Sequence, residues 1–418
     1  MKIYHFDQDG KGGLNIAALS AVAPHLSFEL LPQDINELRT RSLEPGIVWF
    51  YYHAHLQQPD VRDGKNWFDY HKNNQLTDDF ISALKVLQDR GLWMLIDYFW
   101  ESENSYTQVR KELTSLLDQH GVDSTKIIWG INNAWQRGIW HYQDDDYHYR
   151  FLSVPWWLWM THYELHLKQG LTPIPHHRET THDVLALNRR GRLGKIQSLL
   201  GLHQRIGIDR IKFSLCSIHN SARLIIQQGD PEYDFITHTL GQSIDDFEPI
   251  QLEGDVYYGS GISSDDYLFS LNPKWYADTK VSMLNETACS QAEMYSQEQE
   301  VRFTDSIHIT EKTFKTLYMG HPFVLLGQAR SLEAVRALGF ETYGTVINED
   351  YDICSDQVRM HRAIDQIPNL IDAWQDPSVI AASQYNSALM QNTQWIQQET
   401  ARYLLAPLSE LTGLDFIG

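Results

Sequence analysis

In the first third of the chain, the pattern of hydrophobic and polar positions switches between one typical of strands and one typical of helices. Apolar and aromatic runs typical of buried strands lie between segments of helical spacing that end at a glycine. Strands are predicted at 45–55, 92–99 and 126–133, and helices at 80–91 and 106–121. Because strands that alternate with helices form a parallel sheet covered by helices, this region predicts a Rossmann-like α/β domain.

The alternation stops at residues 167–183, where the sequence reads "LKQGLTPIPHHRETTHD". Prolines, a glycine and polar residues replace the periodic pattern, which is typical of a linker. We therefore predict an N-terminal domain at 1–166, a linker at 167–183 and a second domain at 184–376. A long helical pattern with few charges runs from 377 to about 405, within a C-terminal segment at 377–418.

The same alternation returns after the linker and predicts a second Rossmann-like domain. The predicted strands are 184–188, 211–216, 322–327 and 340–343, and the predicted helices are 194–207, a helix after Thr310, and 331–339.

The composition of the chain indicates which classes of molecule it could bind. The chain has 418 residues, with 34 Lys and Arg against 54 Asp and Glu, which gives a net charge of −20. An extended nucleic-acid footprint needs a basic face, so this balance argues against nucleic acid without excluding it, and it still permits a local basic pocket. The 13 Trp and 21 Tyr residues suit either a core or aromatic platforms for sugars and bases.

The three cysteines, Cys216, Cys289 and Cys354, are widely spaced and form no CxxC pair. This argues against a disulfide framework and favours a reducing cytoplasm. The first residues contain no apolar signal region, and no uninterrupted apolar run is long enough for a membrane span. The sequence therefore predicts a cytoplasmic protein.

One candidate site lies at the predicted helix start in "HITEKTFKTLYMGHPFVLLG", residues 308–327. Thr310 suits the cap position, and Glu311 and Lys312 fall in the first turn. Free backbone N–H groups and a partial positive charge make such a start an anion site, to which Lys312 and Lys315 add charge. Glu311 could accept hydrogen bonds from sugar hydroxyls. The alternative is an ordinary helix cap with solvated lysines.

A second candidate lies where the predicted strand at 184–188 ends in Asn188, followed by Arg189, Arg190 and Arg192. Three guanidinium groups this close would repel one another unless an anion held them, and arginine suits bidentate binding of phosphate. The alternative is a solvated loop with surface ion pairs. Neither GxGxxG nor a Walker loop is present.

Together, "ITEKTFKTLYMGHPFVLLG", "LEAVRALGFETYG" and the upstream "LNRRGR" resemble the donor-binding domain of GT-B glycosyltransferases. The similarity is greatest to phage and bacterial relatives of the α-1,3-fucosyltransferase family. The resemblance covers residues 184–362 and is only architectural before residue 165.

This resemblance implies a GT-B fold, an α/β architecture of two facing Rossmann-like domains with parallel sheets. The N-terminal domain would bind the acceptor, the C-terminal domain would bind the donor, and the C-terminal helix would cross back to the N-terminal domain. The resemblance implies donor contacts for the following residues, with Glu286 at the ribose or sugar: Asn188, Arg189, Arg190, Arg192, Glu286, Thr310, Glu311, Lys312 and Lys315.

Catalysis by an inverting enzyme of this kind needs a base near the acceptor hydroxyl. Asp97 and Glu101 at the end of a predicted strand, and His53 at the end of another, are the candidates. His53 and His55 would share one face of a strand, but no third metal ligand is evident. The pair Asp7 and Asp9 is better explained as a loop facing the cleft. The predicted acceptor contacts are Asp9, His55, Trp100 and Trp135.

The sequence therefore predicts an enzyme that transfers a sugar from a GDP- or UDP-linked donor to the hydroxyl of a glycan or other acceptor. Inversion and independence of metal and of other cofactors are further expectations. Two alternatives stay open. The chain could be a protein that binds nucleotides or carbohydrates without turnover, or a phage-type glycosyltransferase that acts on modified bases in DNA.

Overall fold

A computed structural model describes residues 2–5, 12–32, 35–51, 78–98, 107–134, 137–143, 148–253, 271–286 and 307–417. The strands are β1 (Lys2–His5), β2 (Ser27–Leu30), β3 (Gly46–Tyr51), β4 (Trp93–Tyr98), β5 (Ile127–Asn132), β6 (Gly138–Gln143), β7 (His148–Val154), β8 (His182–Leu187), β9 (Arg190–Gly191), β10 (Ile211–Ser214), β11 (Ser217–Ile218), β12 (Thr279–Asn285) and β13 (Phe323–Leu326).

The helices are α1 (Gly12–Val22), α2 (Ile35–Thr40), α3 (Asp78–Asp89), α4 (Thr107–Gln119), α5 (Trp156–Thr161), α6 (Leu193–Ile206), α7 (Asn220–Ile225), α8 (Pro231–Asp234), α9 (Pro273–Ala277), α10 (Glu311–Met319), α11 (Ser331–Ala337), α12 (Asp356–Asp372), α13 (Pro377–Gln391), α14 (Thr393–Thr400) and α15 (Ala406–Thr412). Short π-helical segments follow α5, α8 and α14 at His162–Lys168, Phe235–Thr239 and Ala401–Leu405. Single 3₁₀ turns lie at Ser124–Lys126, Ile208–Arg210 and Asp350–Ile353.

The chain divides into two compact units. Among the described residues, unit 1 takes those of Met1–Trp159 and Thr393–Gly418, and unit 2 takes those of Met160–Glu300 and Ile307–Asn392. The predicted linker at 167–183 groups with unit 2, and so does α13. The domain boundaries drawn from the sequence stay predictions.

Unit 1 contains a seven-stranded sheet in the order β2-β1-β3-β4-β5-β7-β6. Neighbouring strands run parallel except β6, which is antiparallel to β7. Apolar residues on both faces suit strands covered by helices on each side. Val48 and Ile96 of the sheet share one core with Leu84 of α3 and Leu117 of α4, all of them buried.

Residues near the C-terminus pack within unit 1. The Arg137 guanidinium lies 4.2 Å from the centre of the Tyr403 ring, and its Nη1 is 3.5 Å from Glu399 Oε2. The Phe416 carbonyl lies 2.8 Å from His25 Nε2. Residues 393–417 thus join the strands and helices of the first 159 residues, as a returning C-terminal helix requires.

Unit 2 contains a four-stranded sheet in the order β10-β8-β12-β13, in which every neighbouring pair is parallel. A separate parallel pair joins β9 to β11. Helix α10 is a continuous helix between a Thr310 cap and Gly320, which ends it in the left-handed conformation with φ of 64°. The prediction of an α/β chain with two parallel sheets is confirmed.

Two predictions of secondary structure were wrong. Residues 340–343 form no strand, because their backbone donors bind elsewhere: Glu341 N donates to Asn386 Oδ1, and Tyr343 N donates to Glu349 Oε1. The predicted single helix at 377–405 is broken at Asn392, whose ψ of 91° is extended.

Candidate functional site

The carboxyl ends of the unit 2 strands bring several predicted donor residues to one edge of the sheet. Asn188 follows β8, and Asn285 is the last residue of β12 and precedes Glu286. Asn285 Nδ2 donates to Asn188 Oδ1 at 2.9 Å, although 97 residues separate the two. Loops at this edge are where open α/β sheets bind ligands.

This amide pair is buried and only half satisfied. Asn188 Nδ2 and Asn285 Oδ1 have no hydrogen-bond partner within the described part of the chain. An unpaired buried polar group costs free energy. The pair therefore offers one donor and one acceptor to a water molecule or a ligand at the end of the sheet.

The start of α10 has the cap that its sequence predicts. Thr310 has extended backbone angles, and its hydroxyl accepts a hydrogen bond from Lys312 N at 3.5 Å. Glu311 is buried in the first turn, and its Oε1 lies 2.9 Å from Lys312 Nζ. The helix thus begins with an ion pair between adjacent residues, of which the carboxylate is the more deeply buried.

Glu286 accepts hydrogen bonds from the start of α10. Its Oε1 accepts from Thr310 N at 3.1 Å and from Thr313 Oγ1 at 2.5 Å. Its Oε2 accepts from Thr310 Oγ1, also at 2.5 Å. The carboxylate at the end of β12 therefore fixes the helix start to the sheet.

Electrostatic interactions connect this helix start to Arg189, in the loop after β8 that also carries Arg190 and Arg192. Burial opposes ionisation of Glu311, but the positive charges of Lys312, Lys315 and Arg189 lower its pKa to about 2. Glu311 is therefore ionised at neutral pH. Arg189 and the helix start, predicted separately from the sequence, belong to one electrostatic cluster in unit 2.

The other two arginines of the loop lie near a different group. The pKa of His219 is lowered by burial and then by the positive charges of Arg192, Arg190 and Lys195. His219 N donates to Gly191 O at 3.0 Å, because β9 pairs with β11 just before His219. The charges of Arg190 and Arg192 thus act on His219, and the charge of Arg189 acts on Glu311.

Lys195, His219 and Tyr276 are residues that the sequence did not indicate and that interact electrostatically with these clusters. Lys195 is buried in the first turn of α6. Burial raises the pKa of Tyr276 to about 12, and the charges of Arg189 and Glu311 also act on this phenol. His219 reaches the arginines through the pairing of β9 with β11, which no local pattern in the sequence indicates.

In unit 1, Asp97 is the predicted catalytic residue that the structure describes. It lies near the end of β4, is fully buried, and accepts a hydrogen bond from Trp49 Nε1 at 2.8 Å. Its role as a base stays a prediction. The remaining predicted catalytic and acceptor residues lie outside the described residues: Asp9, His53, His55, Trp100, Glu101 and Trp135.

No group of three or more His, Cys, Asp or Glu side chains in the described ranges is placed to hold a metal ion. Within those same ranges, no helix has the length and apolar character to cross a membrane.

No family model matches the chain, and no curated protein matches its sequence. Solved structures do show similarity over nearly the whole chain. One, described as trehalose-6-phosphate from E. coli bound with UDP-2-fluoro glucose, is 10% identical with a TM-score of 0.45, over 99% of both chains. The OtsA apo structure is 11% identical with a TM-score of 0.43, over 98% of both.

A third structure is a putative UDP-N-acetylglucosamine 2-epimerase from Listeria monocytogenes. It is 11% identical with a TM-score of 0.36, over 99% of this chain and 98% of that one. With identities and TM-scores this low, these similarities do not assign an activity to the chain.

Proposed function

We propose that this chain is a glycosyltransferase of the GT-B type that transfers a sugar from a nucleotide-diphosphate sugar to an acceptor hydroxyl. The observation that carries the proposal is the convergence of Arg189, Lys312 and Lys315 on the buried start of α10. Unit 2 would bind the donor. The sequence resemblance to relatives of the α-1,3-fucosyltransferase family supports a GDP- or UDP-linked donor.

The charges at this helix start suit a diphosphate. Three cations act on the Glu311 carboxylate, and the Glu286 carboxylate is bonded to the same helix start, so the cluster has three positive groups against two negative ones. The backbone N–H groups of the first turn add a partial positive charge. Positive groups fixed in advance stabilise the negative charge that develops on a leaving diphosphate.

In the proposed reaction, the acceptor hydroxyl loses its proton to a base while its oxygen attacks the anomeric carbon of the donor. The bond from that carbon to the diphosphate oxygen breaks, and the nucleoside diphosphate leaves with the electron pair. Asp97, Glu101 and His53 are the proposed candidates for the base. We also propose inversion at the anomeric carbon, and that the cations of unit 2 serve in place of a metal.

A donor screen tests the function directly. Binding of UDP and GDP is measured by calorimetry, and release of nucleoside diphosphate is measured with a panel of UDP- and GDP-linked sugars. We expect one nucleotide to bind and its sugars to be turned over. Binding without release in the presence of varied acceptors would favour a binding protein, and failure to bind either nucleotide would contradict the proposal.

Two variants locate the site. R189A and K312A each remove a cation from the α10 start, and each is expected to weaken nucleotide binding about tenfold or more, since hydrogen bonds to charged groups are the stronger ones. R205A is the matched control, because Arg205 lies in the last turn of α6 and pairs with Asp365. Equal affinities for R189A, K312A and R205A would place the nucleotide elsewhere.

A further inference from the structure

The Thr310 hydroxyl lies between a carboxylate and an ammonium group. It is 2.5 Å from Glu286 Oε2 and 3.0 Å from Lys312 Nζ. A hydroxyl has one proton to donate and two lone pairs to accept with. Because an ionised carboxylate can only accept, the Thr310 proton points to Glu286, and the lone pairs remain for Lys312.

Two hydrogen bonds orient the Lys312 ammonium group. It donates to Thr310 Oγ1 and to Glu311 Oε1, the latter at 2.9 Å. Both acceptors belong to the helix start, and the first is a lone pair of the hydroxyl whose proton is donated to Glu286. The Thr310 hydroxyl thus connects this cation to a carboxylate at the end of a neighbouring strand.

The segment before α10 is also fixed from its other side. Gln328, in the loop after β13, accepts a hydrogen bond from His308 N at 2.8 Å. Gly327 lies against this network: a Cβ atom there would come within 2.6 Å of Ser331 Oγ and 3.7 Å of Glu286 Cγ. Hydrogen bonds to Gln328 and Glu286 therefore fix both ends of the segment 308–310.

We propose that Glu286 is a positioning residue, which orients the Thr310 hydroxyl and, through it, aims the Lys312 ammonium at the phosphates of the donor. The inference rests on the proposed function. It differs from the sequence interpretation, in which Glu286 contacts the ribose or the sugar itself.

The first test is the variant E286Q, with UDP and GDP as probes in calorimetry. The carboxamide would present an N–H₂ group to Thr310 Oγ1 and occupy a lone pair that Lys312 uses. We expect E286Q to weaken nucleotide binding about tenfold, as loss of a charge-assisted contact does. T310S keeps the hydroxyl and is expected to bind more tightly than T310V.

A double-mutant cycle separates positioning from direct contact. If Glu286 acts through Lys312, E286Q should change affinity by less than about twofold in a K312A background. A full tenfold effect of E286Q in that background would overturn the inference, because the carboxylate would then act without Lys312. Equal affinity of T310S and T310V would also overturn it.

The control for loss of packing is D352N. Asp352 is a buried carboxylate of the same unit that accepts hydrogen bonds from Leu332 N and Glu333 N at the start of α11. We expect D352N to bind the nucleotide as the wild type does. Weakened binding by D352N would overturn the inference by showing that any damage to unit 2 has this effect. A wild-type chain that binds neither nucleotide would instead contradict the proposed function and, with it, the inference.

Discussion

Helices α10 and α11 both begin near the carboxyl ends of strands in unit 2, and a buried carboxylate holds each start. At α10, Glu286 binds the cap residue Thr310. At α11, Asp352 binds the free N–H groups of Leu332 and Glu333 directly. The same device thus serves two helices that follow one another along the chain.

The two starts differ in the charges around them. Despite burial, three cations lower the pKa of Glu311 in α10 to about 2. At α11, burial prevails over hydrogen bonds and two arginines and raises the pKa of Asp352 to about 6. Cations act on a carboxylate at both starts, but at α10 their effect outweighs burial, and this balance is what makes α10 a candidate for binding anions.

The largest expected effect comes from removing the charge of Glu311. In E311Q, the cations of the α10 start lose a buried counter-charge, and breaking a buried ion pair in this way costs about 3 kcal/mol or more. The free energy of unfolding, measured in urea, should fall by that amount. A phosphate-bearing ligand should recover part of it, since an anion would replace the lost charge.

D352N is the comparison for E311Q. Both backbone N–H groups donate to the same oxygen, Oδ2, which the amide oxygen can replace, so the loss should be nearer about 1 kcal/mol, the cost of an amide N–H₂ group buried at the position of Oδ1. Losses of equal size in the two variants would show that cations do not distinguish the helix starts.

The next effect is a dependence of stability on pH. The folded pKa of Asp352 is raised from 3.8 to about 6, so its protonated form is favoured by folding. That stability is fully present below pH 3.8 and is lost as the pH rises through 6, by up to about 3 kcal/mol. The contribution of Glu311 has the opposite sign: it is present above pH 4.5 and is lost as the pH falls through 2.

The measurement is the unfolding free energy between pH 4 and 7 for the wild type and D352N. Stability of the wild type relative to D352N should fall over this range, because the amide does not titrate. A constant difference between the two proteins would show that Asp352 has an ordinary pKa in the folded chain.

The smallest effect concerns Arg330, the residue before α11. Its φ of 70° lies in the left-handed region. This conformation strains any residue that has a side chain but does not strain glycine. R330G removes this strain but also an exposed ion pair with Glu333. The unfolding free energy should rise by about 1 kcal/mol or less. A fall of that size would show that the side-chain contacts of Arg330 matter more than its backbone.

Local signals in the sequence predicted much of this architecture. Thr310 is the cap of α10, as predicted. Strands β4 and β5 lie within a residue or two of their predicted bounds. Strand β12 was missed because its sequence, "TKVSMLN", mixes polar and apolar residues without a clear period, although nearly all of it is buried.

The site itself was less predictable. The sequence indicates each cation cluster, but the proximity of Arg190 and Arg192 to His219 follows from the pairing of β9 with β11. Likewise, the sequence placed Glu286 before the helix motif, but only the folded chain shows that it bonds to Thr310 and Thr313. Such contacts depend on topology and leave no local pattern.

The membership of residues 393–417 in unit 1 bears on how the protein is made. During synthesis, N-terminal domains usually fold first, as soon as they leave the ribosome. Here Arg137 meets its partners Glu399 and Tyr403 only after the whole of unit 2 has been translated. These contacts of unit 1 can therefore form only at the end of synthesis, after all of the residues of unit 2 have been made.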